Sequence, residues 1–188
     1  LENGIFKIGG SAFEHCSSLE SITIPESVTE IGYDAFYYCA NLKEVKFNAI
    51  NCTYAGASDD VYSAFYGCEK LTDVIIGNKV ESIPACFLSR CRNIERIVIP
   101  DSVKAIGHHA FWYCDSLIDI TIGDNIKEIG GWAFDYTGYF YDEENRRDNL
   151  ICLDYCLIGV SGYDIVVDDS ITVIQDHVFR SHWAIESV

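Results

Sequence analysis

The amino-acid sequence predicts a solenoid of stacked repeats. In its 188 residues, an apolar residue is followed four or five positions later by phenylalanine at seven places. Cysteines accompany five of these phenylalanines, at separations of 23, 29, 23 and 23 residues. A fixed period in this range indicates units that bury their apolar faces only against neighbouring units. The phenylalanines are Phe13, Phe36, Phe65, Phe87, Phe111, Phe134 and Phe179, and the cysteines are Cys16, Cys39, Cys68, Cys91 and Cys114.

One repeat, residues 16–39, shows how each element is predicted. Apolar and polar residues alternate over 19–24, as in a strand with one buried face. Pro25 removes a backbone donor and ends the strand, and a second apolar pair then leads to a turn at Gly32. Residues 34–39 place alanine, phenylalanine and cysteine at the spacing of a helical turn. Each coil is therefore expected to contain a strand, a shorter strand and a short helical turn.

A small residue precedes each of the first six phenylalanines in this alignment. We interpret the position as the point where neighbouring coils approach most closely. On this interpretation Cys86 is a packing residue with no chemical role. The small residues are Ala12, Ala35, Ala64, Cys86, Ala110 and Ala133.

Two segments break the period. Residues 48–61 are polar, small and typical of a loop, whereas residues 136–160 are aromatic and then heavily charged. Inside the second segment, 151–160 is expected to form a hairpin, after which the repeat resumes. Thr137 and His182 replace the repeated cysteine. Because both ends cut through a repeat, the chain is expected to be one repeat domain, residues 1–188, from a longer protein.

Composition and charge restrict the classes of partner. Hydrophobic residues make up 49% of the chain and charged residues 22%, as in a folded protein with a sizeable core. The net charge of −16 argues against nucleic acid, whose binding needs Lys and Arg to displace counterions, and against anionic membranes. No apolar run approaches the ~20 residues of a membrane helix, so no direct membrane insertion is expected. The chain is expected to be monomeric.

The repeat resembles that of the BspA-like leucine-rich-repeat surface proteins. The resemblance is carried by two segments, LESITIPESVTEIGYDAFYYCA at 19–40 and NIERIVIPDSVKAIGHHAFWYCD at 93–115. Both contain the elements IP, SV, IG, AF and C at the same spacing from one another. It implies an α/β repeat solenoid: a right-handed superhelix with a parallel sheet on its concave face and short helical turns opposite. It also implies a cell-surface or secreted location and a role in adhesion.

The repeated cysteines are expected to be reduced structural thiols. Free cysteine behaves as a small buried hydrophobe, and parallel side chains on adjacent coils do not present the dihedral near 90° of a disulfide. Cys152 and Cys156 lie outside the row, where either a local disulfide or two thiols fits the sequence.

No catalytic, cofactor or metal site is predicted. His15 and Cys16 are neighbours only in sequence, and a Cys–His nucleophile also needs an orienting third group. His108 and His109 are expected to face different directions on their turn, and the chain has no C-x-x-C pair. The acidic segment 142–149 lacks the glycine and terminal glutamate of an EF-hand loop.

The remaining candidate site is the outward face of the sheet. Exposed aliphatic residues between charges would suit a protein partner, although they are equally typical of residues that merely fill a sheet face. Aromatic residues of the turns, among them Trp112 and Tyr113, could instead stack on sugars. Tyr139 and Tyr141 are secondary candidates at the edge of the sheet. The predicted binding residues are Glu44, Lys46, Asp73, Ile75, Arg96, Val98, Asp119 and Thr121.

The function expected from these observations is a non-catalytic binding module for a protein or a glycan, neutral or basic rather than anionic. The alternative is a structural spacer that holds other domains away from the cell surface and needs no ligand. The sequence carries no motif that identifies the ligand.

Overall fold

The structure is a computed structural model that describes residues 1–56, 62–162 and 165–180. It is a parallel-strand solenoid of about five turns with little helix. The predicted solenoid is thus confirmed at this level, whereas its handedness stays a prediction. The prediction for His182 lies outside the described residues.

Each coil contributes one longer and one shorter strand, and irregular elements follow the fifth coil. The longer strands of the first five coils are β2 (21–24), β4 (44–47), β6 (73–76), β8 (96–98) and β10 (119–121). The described strands are β1 Lys7–Ile8, β2 Ser21–Ile24, β3 Glu30–Ile31, β4 Glu44–Phe47, β5 Tyr54–Ala55, β6 Asp73–Ile76, β7 Ser82–Ile83, β8 Arg96–Val98, β9 Ala105–Ile106, β10 Asp119–Thr121, β11 Glu128–Ile129, β12 Arg146–Arg147, β13 Leu150–Leu153, β14 Cys156–Val160 and β15 Val173–Ile174; helix α1 is Gly138–Tyr141 and a 3-10 helix is Glu143–Asn145.

The strands form parallel ladders in register. The longer strands pair in the order β2-β4-β6 and, separately, β10-β8, while the shorter ones pair as β1-β3-β5 and β11-β9-β7. Ser21 lies opposite Glu44, which lies opposite Asp73, so corresponding repeat positions face the same way. The predicted alternation is confirmed in β2, where Ile22 and Ile24 are buried and the residues between are exposed.

Phenylalanine rings stack along the core. The rings of Phe36 and Phe65 are parallel with centroids 4.9 Å apart, and those of Phe111 and Phe134 are 5.2 Å apart. Phe87 departs from this stack, because it meets Phe65 and Phe111 edge-on at 6.4 Å. The third coil is therefore packed differently from its neighbours.

The predicted row of cysteines is confirmed. Cys16, the first of the row, is exposed. Each of the four buried thiols points back to a main-chain oxygen of the preceding coil, which gives the S–H group a partner inside the core. All nine cysteines are free, so Cys152 and Cys156 are two thiols in this structure. The Sγ–O distances are 3.0 Å from Cys39 to Phe13, 3.2 Å from Cys68 to Phe36, 3.9 Å from Cys91 to Phe65 and 3.1 Å from Cys114 to Leu88.

The segments opposite the longer strands are hydrogen-bonded turns, and the predicted helical turns are not confirmed. Residues with left-handed backbone recur four positions apart, as at Asp34 and Tyr38 with φ of 52° and 51°. Positive φ interrupts the continuous i to i−4 ladder of a helix. The N–H groups of Ala35 and Tyr37 bond to the oxygens three residues earlier, whereas that of Phe36 donates to the oxygen of Ala64 in the next coil at 2.9 Å.

The third coil is aligned one residue differently from the sequence-based alignment. The backbone N–H of Leu88 donates to the oxygen of Ala110 at 2.7 Å, as that of Phe111 donates to Ala133 at 2.8 Å. Leu88 therefore occupies the phenylalanine position of this coil.

Phe87 consequently takes the alanine position, and Cys86 corresponds to His109 of the next coil. The prediction that Cys86 fills the small-residue position is wrong. The spacing held the signal, since Cys91 follows Phe87 by four residues where the other copies have three.

The segment after the fifth coil contains the predicted hairpin. Strands β13 and β14 pair antiparallel, and β14 then pairs in parallel with β15. Thr137 stands at the end of the cysteine row, where its buried hydroxyl donates to the oxygen of Phe134 at 2.8 Å. The hydroxyl oxygen of Thr137 also accepts the N–H of Phe140 at 3.1 Å and caps α1.

Candidate functional site

The sheet face comprises the outward side chains of β4, β6, β8 and β10, which include all eight predicted binding residues. Seven of the eight are exposed and Glu44 is half-buried. Ile75 and Val98 are exposed over 49% and 46% of their surface. Arg96 forms an ion pair with Asp119, with its Nε 3.2 Å from Oδ2. The sheet face therefore combines apolar side chains with paired charges.

The sheet face is interrupted between β6 and β8. In the part of the chain that the structure describes, no ladder joins these strands, although β4 pairs with β6 and β8 with β10. The ladder of longer strands is therefore not continuous over the third to fifth coils. Instead there is a cleft of about 410 Å³, the sheet-face cleft, which includes Asp73, Ile75, Arg96 and Val98 in its lining.

Two large side chains pack in the core near this interruption. Phe87 fills the position that alanine holds in neighbouring coils, and Phe47 holds the strand position that isoleucine has in the first, third, fourth and fifth coils. Their rings pack against each other with centroids 4.6 Å apart. The third coil keeps its backbone bonds to the fourth coil at the turns, whereas no described ladder joins the longer strands of these two coils.

The turn face, opposite the sheet face, carries a column of aromatic rings around one arginine. The guanidinium carbon of Arg90 lies 5.0, 4.7 and 4.9 Å from the ring centroids of Tyr62, Trp112 and Tyr113. Cation–π attraction and burial hold this side chain in place. Sequence reasoning missed Arg90, although it occupies the position of Tyr113 in the next coil, and a cation among aromatic residues is a recognisable signal.

The secondary candidates do not line the sheet face. The hydroxyl of Tyr139 donates to the oxygen of Cys152 at 2.8 Å and ties α1 to the hairpin. The ring of Tyr141 lies 6.0 Å from that of Tyr136, which stacks on Tyr113 at 4.3 Å. Tyr141 thus extends the aromatic column of the turn face, and its predicted place at the edge of the sheet is wrong.

Three potential metal ligands meet at the edge of the turn face. The ligand atoms of Cys86, His108 and His109 all lie within 4.8 Å of one another, and the two Nδ1 atoms are 3.1 Å apart. The expectation that the two histidines face different directions is wrong, because left-handed backbone at His109 turns its ring back towards its neighbour. We refer to these three residues as the Cys–His–His cluster.

The cluster is partly removed from water. Burial, followed by the neighbouring His108, lowers the pKa of His109 to about 4, so this ring is neutral at physiological pH. Burial also raises the pKa of the Cys86 thiol, against a smaller opposite effect of its contact with the hydroxyl of Tyr54. Cys86 is buried, whereas His108 is exposed and makes the cluster accessible from solvent.

The buried cysteines of the row are poor nucleophiles. Burial raises the pKa of Cys68 to about 12 and raises that of Cys91 well above its ordinary value. The thiolate, which is the reactive form, is therefore scarce at neutral pH.

The repeats match a known family of sequences. The sequence profile described as the BspA type leucine rich repeat region matches residues 1–59 and 61–186, in six copies. The chain belongs to this family. No enzyme family is indicated. No curated protein matches the chain significantly.

Solved structures show the same fold. A leucine-rich repeat protein from Eubacterium ventriosum ATCC 27560 is 20% identical, with a TM-score of 0.57, over 97% of this chain and 44% of its own. A leucine rich cell surface protein from Faecalibacterium prausnitzii A2-165 is 24% identical, with a TM-score of 0.50, over 97% and 42%. The T. pallidum leucine rich repeat protein is 25% identical, with a TM-score of 0.51, over 72% and 61%. The chain therefore spans less than two thirds of each of these relatives.

None of the helices in the described residues has both the length and the hydropathy needed to span a bilayer.

Proposed function

We propose that the chain is a non-catalytic binding module of a cell-surface or secreted protein, and that it recognises a protein partner through the sheet-face cleft. The observation that carries the proposal is the break in the sheet, where Ile75 and Val98 stand exposed on its two sides. Membership of a family of binding and surface proteins supports it, as does the relative from F. prausnitzii, which is described as a cell surface protein.

The chemistry of the cleft favours a protein over a sugar. Aliphatic side chains at the centre of a patch with charges around them match the usual pattern of protein interfaces, whereas sugars are most often bound by stacking on aromatic rings. A cleft of about 410 Å³ is large enough to accept one or two side chains of a partner. Repeat packing holds its walls, which limits the entropy lost on binding.

The charge around the cleft indicates what the partner presents. Asp73 lines the cleft, and Glu44 and Asp119 lie on the flanking strands β4 and β10. The nearby cations are already paired, Arg96 with Asp119 and Lys46 with Glu44. The net charge of −16 adds a long-range field of the same sign. An apolar side chain flanked by lysine or arginine would fit, and an anionic partner would be repelled.

A binding array tests the proposal. The labelled protein is applied to arrays of host proteins and of glycans, beside the variants Val98→Asp and Val166→Asp. Val166 is a matched control, because it is an aliphatic residue exposed over 75% of its surface and outside the cleft. We expect protein spots that Val98→Asp weakens about tenfold or more and Val166→Asp leaves unchanged.

Other outcomes contradict the proposal in different ways. Binding that both variants retain, but that Trp112→Ala abolishes, would place the site on the turn face. Binding to glycans alone would overturn the choice of partner. Uniformly negative arrays would support a spacer.

A further inference from the structure

We infer that Cys86, His108 and His109 form a binding site for a transition-metal ion, with Zn²⁺ as the ion that fits best. The site belongs to the turn face and is independent of the sheet-face cleft. One thiolate and two imidazoles are ligands that Zn²⁺ commonly takes in proteins.

The distances suit one shared ion. Zn–N bonds of about 2.0–2.1 Å and a Zn–S bond of about 2.3 Å place tetrahedral ligand atoms roughly 3.3–3.6 Å apart. The Nδ1 atoms of His108 and His109 are 3.1 Å apart, and no pair of ligand atoms in the cluster exceeds 4.8 Å. Side-chain rotations that move the sulfur of Cys86 by about 1 Å therefore bring the three ligand atoms to the separations of a tetrahedral zinc site.

The facing nitrogens can share either a proton or a cation. Two Nδ1 lone pairs directed at each other repel unless a proton or a cation lies between them. A ring proton can satisfy one such pair, whereas a metal ion satisfies both nitrogens and the thiol together. The Cys86 proton would pass to solvent when the sulfur ligates the ion.

The repeat brings the ligands together in advance. Cys86 and His109 occupy the same position in adjacent coils, with φ of 56° and 54°, so their side chains leave the backbone in the same direction. The N–H of Cys86 donates to the oxygen of His108 at 3.0 Å and sets the register between the coils. The His109 ring stacks on Trp132, with centroids 5.1 Å apart and planes 15° apart, which fixes its orientation.

The fourth coordination position is left for a further donor. Three protein ligands plus one open position are typical of sites at which water or an incoming group can exchange. His108 is exposed, so this position faces solvent. Metal binding there would stiffen the junction between the third and fourth coils, where the longer strands have no ladder.

Co²⁺ is a suitable spectroscopic probe, because it takes the place of Zn²⁺ and shows both thiolate ligation and tetrahedral geometry in its absorption. The titration is made in a Cys16→Ser background, which removes an exposed thiol next to His15 that could bind the probe by itself. We expect one equivalent of Co²⁺ to give thiolate-to-cobalt charge transfer and intense visible bands. Zn²⁺ should displace it and raise the melting temperature.

Variants of the cluster decide the assignment. Cys86→Ser should abolish the charge-transfer band, and His109→Asn should weaken Co²⁺ and Zn²⁺ binding about tenfold or more. Asparagine tolerates positive φ, so His109→Asn preserves the turn even if Cys86→Ser does not fold. Cys152→Ser is the matched control, because this half-buried thiol lies in the hairpin and should not affect binding.

Some results would overturn the inference. They are a charge-transfer band that persists in Cys86→Ser, one that disappears in Cys152→Ser, or no such band in the parent protein. Equal affinity in His109→Asn and its parent, with circular dichroism unchanged, would do so as well.

Discussion

Replacing Gly107 by alanine tests whether close approach of the coils explains the glycine that follows the second strand. A Cβ at Gly107 would lie 2.7 Å from the Cα of Ala85 and 2.8 Å from the carbonyl carbon of Pro84. Ordinary van der Waals contact begins at 3.4 Å, so the added Cβ would lie 0.7 Å too close to the Cα of Ala85. The obstacle is backbone, which hydrogen bonds on both sides hold in place: Gly107 donates to Ile83 at 2.9 Å and Ala85 to Thr53 at 3.3 Å.

The magnitude follows from the rigidity of these neighbours. Overpacking usually costs about 1–3 kcal/mol, and we expect about 3 kcal/mol because no side chain can move aside. Gly9→Ala is a matched control, since Gly9 follows the strand β1 in the same way but has no atom within 4 Å of its Cβ position. Alanine at position 9 should leave the free energy of unfolding unchanged or raise it by up to about 1 kcal/mol, because alanine lowers the conformational entropy of the unfolded chain.

Urea unfolding followed by circular dichroism and tryptophan fluorescence measures the difference. We expect Gly107→Ala to be less stable than Gly9→Ala by about 3–4 kcal/mol. Free energies of unfolding within about 1 kcal/mol of each other would refute the argument from close approach.

Three further predictions concern the core and its cysteine row. Phe111→Ala should lower the free energy of unfolding by about 3–5 kcal/mol, because its ring is fully buried in the stack; a loss below about 1 kcal/mol in urea titration would contradict this. Iodoacetamide at mildly alkaline pH should label Cys16 in the folded protein and Cys68 only after unfolding, since Cys16 is exposed and a pKa raised to about 12 keeps the other thiol protonated; mass spectrometry that finds equal labelling would refute it. Thr137→Val should lower the melting temperature, at a cost of about 1–2 kcal/mol, because the capped N–H and the bonded carbonyl lose their partner; Thr137→Cys, which restores the repeat, should cost less.

The sequence by itself determined the solenoid, the positions of the longer strands, the direction of their side chains and the row of thiols. These features depend on two periods, one of two residues along a strand and one of 23 along the chain, and both can be read without knowledge of contacts. The burial of Ile22 and Ile24 could be predicted because apolar and polar residues alternate along the strand and the neighbouring repeats show the same alternation. The sequence could not predict that the turns avoid helix, because this depends on which N–H groups find partners in the next coil.

Only the tertiary structure decided the arrangement around the third coil. Phe87 and Phe47 are ordinary core residues as read from the sequence, and only the structure shows that their rings meet and that the ladder of longer strands stops between β6 and β8. The meeting of Cys86 with His109 likewise depends on register, since a shift by one residue would turn the two side chains to different positions. Steric volume and hydrogen bonding between residues about 23 apart decide such contacts, and the local sequence records only the shift by one residue, in the spacing from Phe87 to Cys91.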